Sequence, residues 1–384
     1  MRLLALATAL ALMLPLAAAA APGWAVEPLA QPRGNTTELR GIHCADASTC
    51  IAVGNDFGSG FAERWDGKAW AVSTLAMPPQ TALNDIASVA CPGVDVCIAV
   101  GTAFRKPAIQ HEYPSSPLVE TWKNGTWKAK IVPLPVGSKE GQLLGVDCVS
   151  PAGCVALGQY RTANGDWFAF AEHWNGSVWK SRIIPQPGSA IDGVLAAISC
   201  PRPAYCIAVG GYHTSPTSRV AMAYRWDGAK WTEQEGVAPA RSSVSFLDGV
   251  SCAAVRQCVA VGGYVNSSGR GLTLSARLAS GGWRVVASPS AQGADSNMLE
   301  GVTCRGTKDC LAVGGAYRFG DRRPLAAHWD GKKWSPETPP APAGSDGSVY
   351  VHLAAASCPS AGLCFGVGAA YGDFGDEALA VRRS

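Results

Sequence analysis

The stretch Leu247-Asp-Gly-Val-Ser-Cys-Ala-Ala-Val-Arg-Gln-Cys-Val-Ala-Val-Gly-Gly-Tyr264 sets two cysteines six positions apart between short apolar runs. The same pattern returns throughout the chain as Cys44 with Cys50, Cys91 with Cys97, Cys148 with Cys154, Cys200 with Cys206, Cys252 with Cys258, Cys304 with Cys310 and Cys358 with Cys364. Successive first cysteines lie 47, 57, 52, 52, 52 and 54 residues apart, a period expected of propeller blades. An aliphatic residue stands five before each leading cysteine: Leu39, Ile86, Leu143, Leu195, Leu247, Leu299 and Leu353. A small residue stands three before it: Gly41, Ser88, Gly145, Ala197, Gly249, Gly301 and Ala355. Small side chains at one in-phase position predict an innermost strand, where seven backbones crowd around an axis.

Each unit reads as four strands. The first ends at the leading cysteine, and the second follows the trailing one, as in Cys206-Ile-Ala-Val-Gly210, apolar on both faces as a strand between neighbouring blades should be. The third and fourth flank a turn such as Trp65-Asp-Gly-Lys-Ala-Trp70 or Trp174-Asn-Gly-Ser-Val-Trp179, where Asp-Gly and Asn-Gly supply the positive φ of tight hairpins. The fifth unit departs from this with Leu278-Ala-Ser-Gly-Gly-Trp283. The fourth strand alternates as Trp127-Lys-Ala-Lys-Ile131, its charges blunting an exposed sheet edge. The last unit stops inside its third strand at Leu379-Ala-Val-Arg-Arg-Ser384, while Trp24-Ala-Val-Glu-Pro-Leu-Ala-Gln-Pro32 matches a fourth strand without a unit. The N-terminal strand is therefore expected to complete the last blade and close the ring. The fold class is all-β: a seven-bladed propeller of four-stranded antiparallel blades over residues 22–384.

Met1-Arg2 followed by an apolar run to about Ala21 reads as a signal peptide over residues 1–21, with small residues at its end. Removal of that leader leaves no membrane span, so the rest is expected outside the cell, as a monomer. In that oxidising setting seven Cys-x5-Cys pairs read as seven disulfides. Each closes a seven-residue loop and contributes about 2 kcal/mol on a chain-entropy estimate. Zinc favours tighter Cys-x2-Cys spacing with His, and pairing across blades stays formally open. A net charge of +3 gives no clustered basic stripe for nucleic acid.

The Cys-x5-Cys hairpins and Asp-Gly turns share one face of such a propeller. The loops between second and third strands share the other face with the inter-blade links, and they vary in length. The longest runs from Thr102 to about Ser116 and holds Phe104, Arg105, Lys106, His111, Glu112 and Tyr113. Variable loops on a rigid scaffold are where binding usually resides. Six or seven residues after each trailing cysteine stands an aromatic: Phe57, Phe104, Tyr160, Tyr212, Tyr264, Tyr317 and Tyr371. These rings either pack between blades or form platforms for sugars around the channel mouth. Asp166, Trp167, His213, Arg270, Arg318, Asp321, Arg322, Asp373 and Asp376 are nearby polar candidates. The residue before each leading cysteine (His43, Ala90, Asp147, Ser199, Ser251, Thr303, Ser357) reads as a polar channel lining that holds water. His173 and His328 read as surface or inter-blade residues, with no metal-spaced pair among the six histidines.

Val-Gly-Gly-Tyr at 209–212 and 261–264, followed by Trp226-Asp-Gly-Ala-Lys-Trp231 and its counterparts, resembles bacterial propellers of the kelch and galactose-oxidase-central-domain type. The resemblance spans the chain after the leader and implies the fold. Four units lack the second glycine, and every cysteine belongs to the repeat, so a copper centre needing a free cysteine is not carried over. No metal, cofactor or catalytic residue is expected. The function expected is a non-catalytic, secreted binding module for a glycan or an extracellular protein. The alternatives are an enzyme acting on extracellular polysaccharide, with Asp166 and Asp321 or Asp373 as its acids, and a protein-assembly platform.

Overall fold

The computed structural model describes residues 23–30, 37–105, 114–240, 242–319, 321–342, 350–372 and 375–384, with the Asp376 side chain also left out. The expected signal peptide, Lys106, His111, Glu112, Tyr113 and Asp373 lie outside the described residues. No helix occurs among those described. Blade 1 comprises Thr37–Asp46, Thr49–Asp56, Ser59–Trp65 and Trp70–Ser73, paired antiparallel in that order. Five further blades repeat it. Blade 7 has Tyr350–Ser360, Leu363–Gly372 and Gly375–Arg383, and its fourth strand is Trp24–Glu27. Trp24 pairs with Arg383 and Glu27 with Ala380, so the N-terminal strand completes the last blade. The seven-bladed propeller expected from the repeat is the observed fold.

The core is not central. Seven apolar clusters each join two neighbouring blades, and the cluster of Leu39, Ile42, Phe61, Phe365, Val367 and Ala380 joins blade 7 to blade 1. Strand parity produces this. In the second strand of blade 4, Cys206 and Ala208 pack toward blade 3 while Ile207 and Val209 pack toward blade 5, because successive side chains take opposite faces. The paired tryptophans sit directly opposite across the Asp-Gly turns: Trp65 with Trp70 at 5.7 Å and Trp329 with Trp334 at 5.6 Å between ring centroids.

All seven expected disulfides form, each within its own blade, so the cross-blade alternative is set aside. Cys44 is bonded to Cys50, Cys91 to Cys97, Cys148 to Cys154 and Cys200 to Cys206. Cys252 is bonded to Cys258, Cys304 to Cys310 and Cys358 to Cys364. One detail of the expectation is corrected. The strands run past the cysteines rather than ending at them: Asp46 still pairs with Thr49, so the turn is Ala47-Ser48 and not five residues. The trailing cysteines Cys50, Cys97, Cys154, Cys206, Cys258, Cys310 and Cys364 are buried on the second strands, where they serve as blade core and not as a ligand surface. A Cα separation of 3.9 Å between Cys44 and Cys50 is that of a close, non-hydrogen-bonded pair. The N–H of such a residue points away from its own ladder.

That orphan N–H explains the residue before each leading cysteine. Ser357 Oγ accepts from Cys44 N (3.0 Å), His43 Nδ1 from Cys91 N (3.2 Å), Asp147 Oδ2 from Cys200 N (2.6 Å), Ser199 Oγ from Cys252 N (3.0 Å) and Ser251 Oγ from Cys304 N (2.9 Å). The polar residues of this position line the channel as expected, and they also form a belt of blade-to-blade hydrogen bonds. The small residues three before the cysteine do crowd the axis: a Cβ on Gly301 would lie 2.8 Å from the Ala354 carbonyl oxygen of the next blade.

Candidate binding site at the channel mouth

Each innermost strand carries a β-bulge between the aliphatic and the small residue of the repeat, as between Leu39 and Gly41 or Leu299 and Gly301. A bulge leaves its extra residue unpaired and re-aims its side chain. The bulged residues are Arg40, Ala87, Leu144, Ala196, Asp248, Glu300 and Ala354, and all but one are followed by Gly or Ala. They line a central channel of 380 Å³. Three of the seven are charged, and all three sit on one arc of the ring, blades 5, 6 and 1.

A side pocket of 340 Å³ opens between blades 7, 1 and 2 on the variable-loop face, and Arg40 lines it as well as the channel. Its apolar walls are Phe57, Leu83, Phe104 and Tyr371, and its polar ones Glu38, Arg40, Asn55 and Asp85. The Arg40 guanidinium donates to both oxygens of Asp85 (3.0 and 2.9 Å) and also to Glu38. Tyr371 donates its hydroxyl to Glu38 Oε2 at 2.9 Å. Phe57 is 83% exposed and takes a φ of 45°, a backbone region costly for a bulky residue. Its turn is held in place by blade 2: Asn84 N–H donates to the Gly58 carbonyl (3.1 Å), and Asn84 Oδ1 accepts from Gly60 N (2.8 Å).

The sequence-predicted aromatic ring therefore splits, and the split follows offset. Tyr160, Tyr212 and Tyr264 stand six after their cysteines and pack into the interface with the preceding blade. Tyr160 meets Phe170 edge-on at 6.1 Å. Tyr317 and Tyr371 stand seven after and turn toward the following blade, Tyr317 stacking on Tyr350 of blade 7 (6.3 Å) and Tyr371 reaching Glu38 of blade 1 while stacking on His352 of its own blade (5.6 Å). Phe57 and Phe104 share that later offset and line the pocket. One residue of difference exchanges strand faces; of the seven rings only Phe57, Phe104 and Tyr371 converge.

Beside Tyr371 the polar network continues into the channel wall. Glu300 pairs with Arg322, and its Oε2 lies 3.8 Å from His352 Nε2. Burial pushes Glu300 up to about 7, the Arg322 charge opposing and Asp248 adding to the rise. Burial likewise raises Asp248 to about 6 against the pull of Arg219. Burial lowers His352 to about 4, so its ring is neutral near pH 7. A neutral imidazole and a carboxyl poised near neutrality can hold or exchange a proton, with the Arg322 guanidinium as a fixed positive charge beside them.

The other candidates fall elsewhere. His213 pairs with Asp192 at 2.7 Å, and Arg270 donates to the carbonyls of Ala294 and Ala291. Asp166 caps its own blade 3 turn, donating its N–H to Thr162, and Trp167 opens the following strand. Asp321 pairs with Arg323 in blade 6, so Asp166 and Asp321 are not brought together. His173 packs on Trp226 of blade 4, and His328 bonds Asp309. Among the described residues no three of His, Cys, Asp and Glu gather as metal ligands would.

No protein-family model matches the chain, and no curated protein does. Solved structures share its fold. Trypanosoma rangeli sialidase superposes with a TM-score of 0.54 at 11% identity over 94% of this chain and 60% of its own. An ulvan lyase of polysaccharide lyase family PL25 gives 0.53 at 9% identity, over 91% and 94%. A protein of unknown function from Dyadobacter fermentans gives 0.50 at 10% identity, over 81% and 96%. The chain spans about 60% of the sialidase's length. At these identities the likeness is one of propeller fold.

Proposed function

We propose that this chain is a secreted glycan-binding module whose sugar site is the pocket between blades 7, 1 and 2. The observation that carries this is the convergence of three aromatic rings with the Glu38–Arg40–Asp85 network in one 340 Å³ hollow. Ring faces suit the C–H faces of a sugar, and fixed charged hydrogen-bonding groups suit its hydroxyls. Seven disulfides agree with an extracellular setting. The likeness of fold to a sialidase and an ulvan lyase, both named for action on glycans, supports that ligand class. The kelch-type resemblance of the Val-Gly-Gly-Tyr segments adds the scaffold and no chemistry.

The test is retention of residues 22–384 on insoluble polysaccharides and cell-wall material, with the supernatant assayed for released sugar. Phe57→Asn keeps a residue that tolerates the left-handed backbone and is expected to weaken retention about tenfold, as loss of a stacking platform does. Asp85→Asn is expected to weaken it less. Tyr212→Ala is expected to lower stability and leave retention per folded molecule unchanged. Equal retention of wild type and Phe57→Asn would refute the pocket assignment.

A second reading, an enzyme acting on polysaccharide, is favoured by one observation: Glu300 and Asp248 are half-buried, raised toward neutrality and open on the channel beside the pocket. Under it sugar is released, and Glu300→Gln abolishes release while keeping retention. Retention without release supports the binding module.

A further inference from the structure

A further hollow, of 580 Å³, lies not at the channel mouth but at the rim of blade 6. One wall is the link between blades 5 and 6, Pro289 to Ala294; the other is the end of the second and third strands of blade 6, with Arg318, Asp321, Arg323 and Pro324. The link is rigidly held. Arg270 donates to the Ala294 and Ala291 carbonyls (3.0 and 3.3 Å), and Asn297 Oδ1 accepts from Ala291 N at 2.8 Å.

The acids around this hollow are all engaged. Asp321 pairs with Arg323 at 2.7 Å, and Glu337 holds Arg383 through two bonds of 2.8 Å and Trp24 Nε1 through one of 2.9 Å. Asp295 accepts the Phe319 N–H at 3.3 Å. Arg318 is different: its guanidinium has no hydrogen bond or ion pair among the described residues. It lies over Gly293, where an added Cβ would sit 3.5 Å from its Nη1 and where φ is +75°. Glycine there leaves the cation room to lie along the wall.

Next to it stands Phe319, 93% exposed with a φ of 32°. It is the counterpart of Phe57: Phe57 and Phe319 each stand directly after the last residue of the second strand, Asp56 in blade 1 and Arg318 in blade 6. Each phenylalanine puts an exposed ring in strained backbone on the variable-loop face: Phe57 lines its hollow, and Phe319 stands next in sequence to Arg318, which lines the other. The difference is charge. At Phe57 the neighbouring guanidinium is already bound by Asp85 and Glu38, whereas at Phe319 it is unspent.

We propose that the blade 6 hollow is a second glycan site, in which Arg318 takes the carboxylate of an acidic sugar and Phe319 stacks on its ring. A planar guanidinium fits a carboxylate through two parallel hydrogen bonds. With the channel-mouth pocket, this makes the ligand an acidic polysaccharide long enough to lie across blade 7, engaged at both ends. The inference rests on the glycan-binding reading and names its substrate class. Two weak sites joined by one chain bind far more tightly than either alone.

The experiment uses polygalacturonate, alginate and hyaluronan, each with its carboxyl-reduced neutral form, and measures retention of wild type, Arg318→Gln and Phe319→Asn. Wild type is expected to prefer at least one acidic polymer over its neutral form. Arg318→Gln removes that preference, lowering affinity for the acidic polymer about three- to tenfold and leaving the neutral form alone. Phe319→Asn weakens both forms. An unchanged urea midpoint shows that each variant is folded. Equal binding of acidic and neutral polymers, or a preference that survives Arg318→Gln, overturns the inference while glycan binding stands. Retention of neither form on any polymer overturns both.

Discussion

Ala90 breaks a pattern, and its neighbour repairs the break. In its slot the other blades place a side chain able to accept the next blade's cysteine N–H, and alanine cannot. The Cys148 N–H that Ala90 leaves without an acceptor is taken instead by Asp147 Oδ1 at 2.8 Å, while Asp147 Oδ2 serves Cys200 at 2.6 Å. One carboxylate thus fills two places in the belt. Burial raises it to about 6, with the two amide donors opposing. Asp147→Ala should cost about 2–4 kcal/mol, since two buried donors lose their acceptor. In an Ala90→Ser background the cost should fall by about 1 kcal/mol, because the introduced hydroxyl can then receive the Cys148 N–H. Urea midpoints of the four proteins measure this. The slot's polarity was legible in the sequence; its purpose was not. The direction of an orphan N–H depends on which residues of the ladder are hydrogen-bonded, and residue types do not report that.

At the scale of the element, the glycine four after each trailing cysteine and the bulge opposite it form one device. Gly54, Gly101, Gly158, Gly210, Gly262, Gly314 and Gly368 fill this place in all seven units. A Cβ on Gly262 would fall 2.0 Å from the Phe246 carbonyl oxygen, so the bulged strand can approach only a bare backbone. Gly262→Ala is expected to cost about 3 kcal/mol or more, read as a lowered urea midpoint, with the disulfides intact. The strands, the tight turns and the N-terminal clasp were all readable from spacing, because repetition averages out local ambiguity. The bulge was hidden, and with it Arg40, Asp248 and Glu300, which stand at one in-phase position between an aliphatic and a small residue. The offsets of six and seven among the aromatics did carry the signal that separates Tyr212 from Tyr371, through the two-residue period of a strand.

Across the whole molecule, the ring is built from interfaces between blades, and buried charge accumulates in the blades themselves. Glu63, Glu120 and Glu172 occupy one in-phase position of the third strand in blades 1 to 3, fully buried, with no carboxyl oxygen in close hydrogen-bonding geometry. Burial raises them to about 7, 8 and 7. Folded values above the ordinary 4.5 mean that the native state holds protons the unfolded chain has released, so stability is fullest below about pH 4.5 and declines as pH rises through 7 to 8. His43, His173 and His352, lowered to about 4, act oppositely, but only below the unfolded histidine value of 6.5. Between pH 6.5 and 8.5 the carboxyls act alone. The melting temperature should fall across that window as each glutamate loses about 1–2 kcal/mol of stability, and replacing all three by glutamine should reduce the slope to the part that Glu300 contributes. These glutamates escaped attention in the sequence because Ala-Glu-Arg-Trp and Ala-Glu-His-Trp look like ordinary alternation at a strand edge. Only the stacking of one blade on the next seals them from water.

The closing strand has a mechanical consequence. Gly23 and Ser384 lie side by side, with Ser384 N donating to the Gly23 carbonyl at 3.0 Å, and the register runs from there inward to Glu27 and Ala380. Tension applied through the two chain ends would load this seam at its outer end, breaking hydrogen bonds one after another like a zip rather than all together in shear.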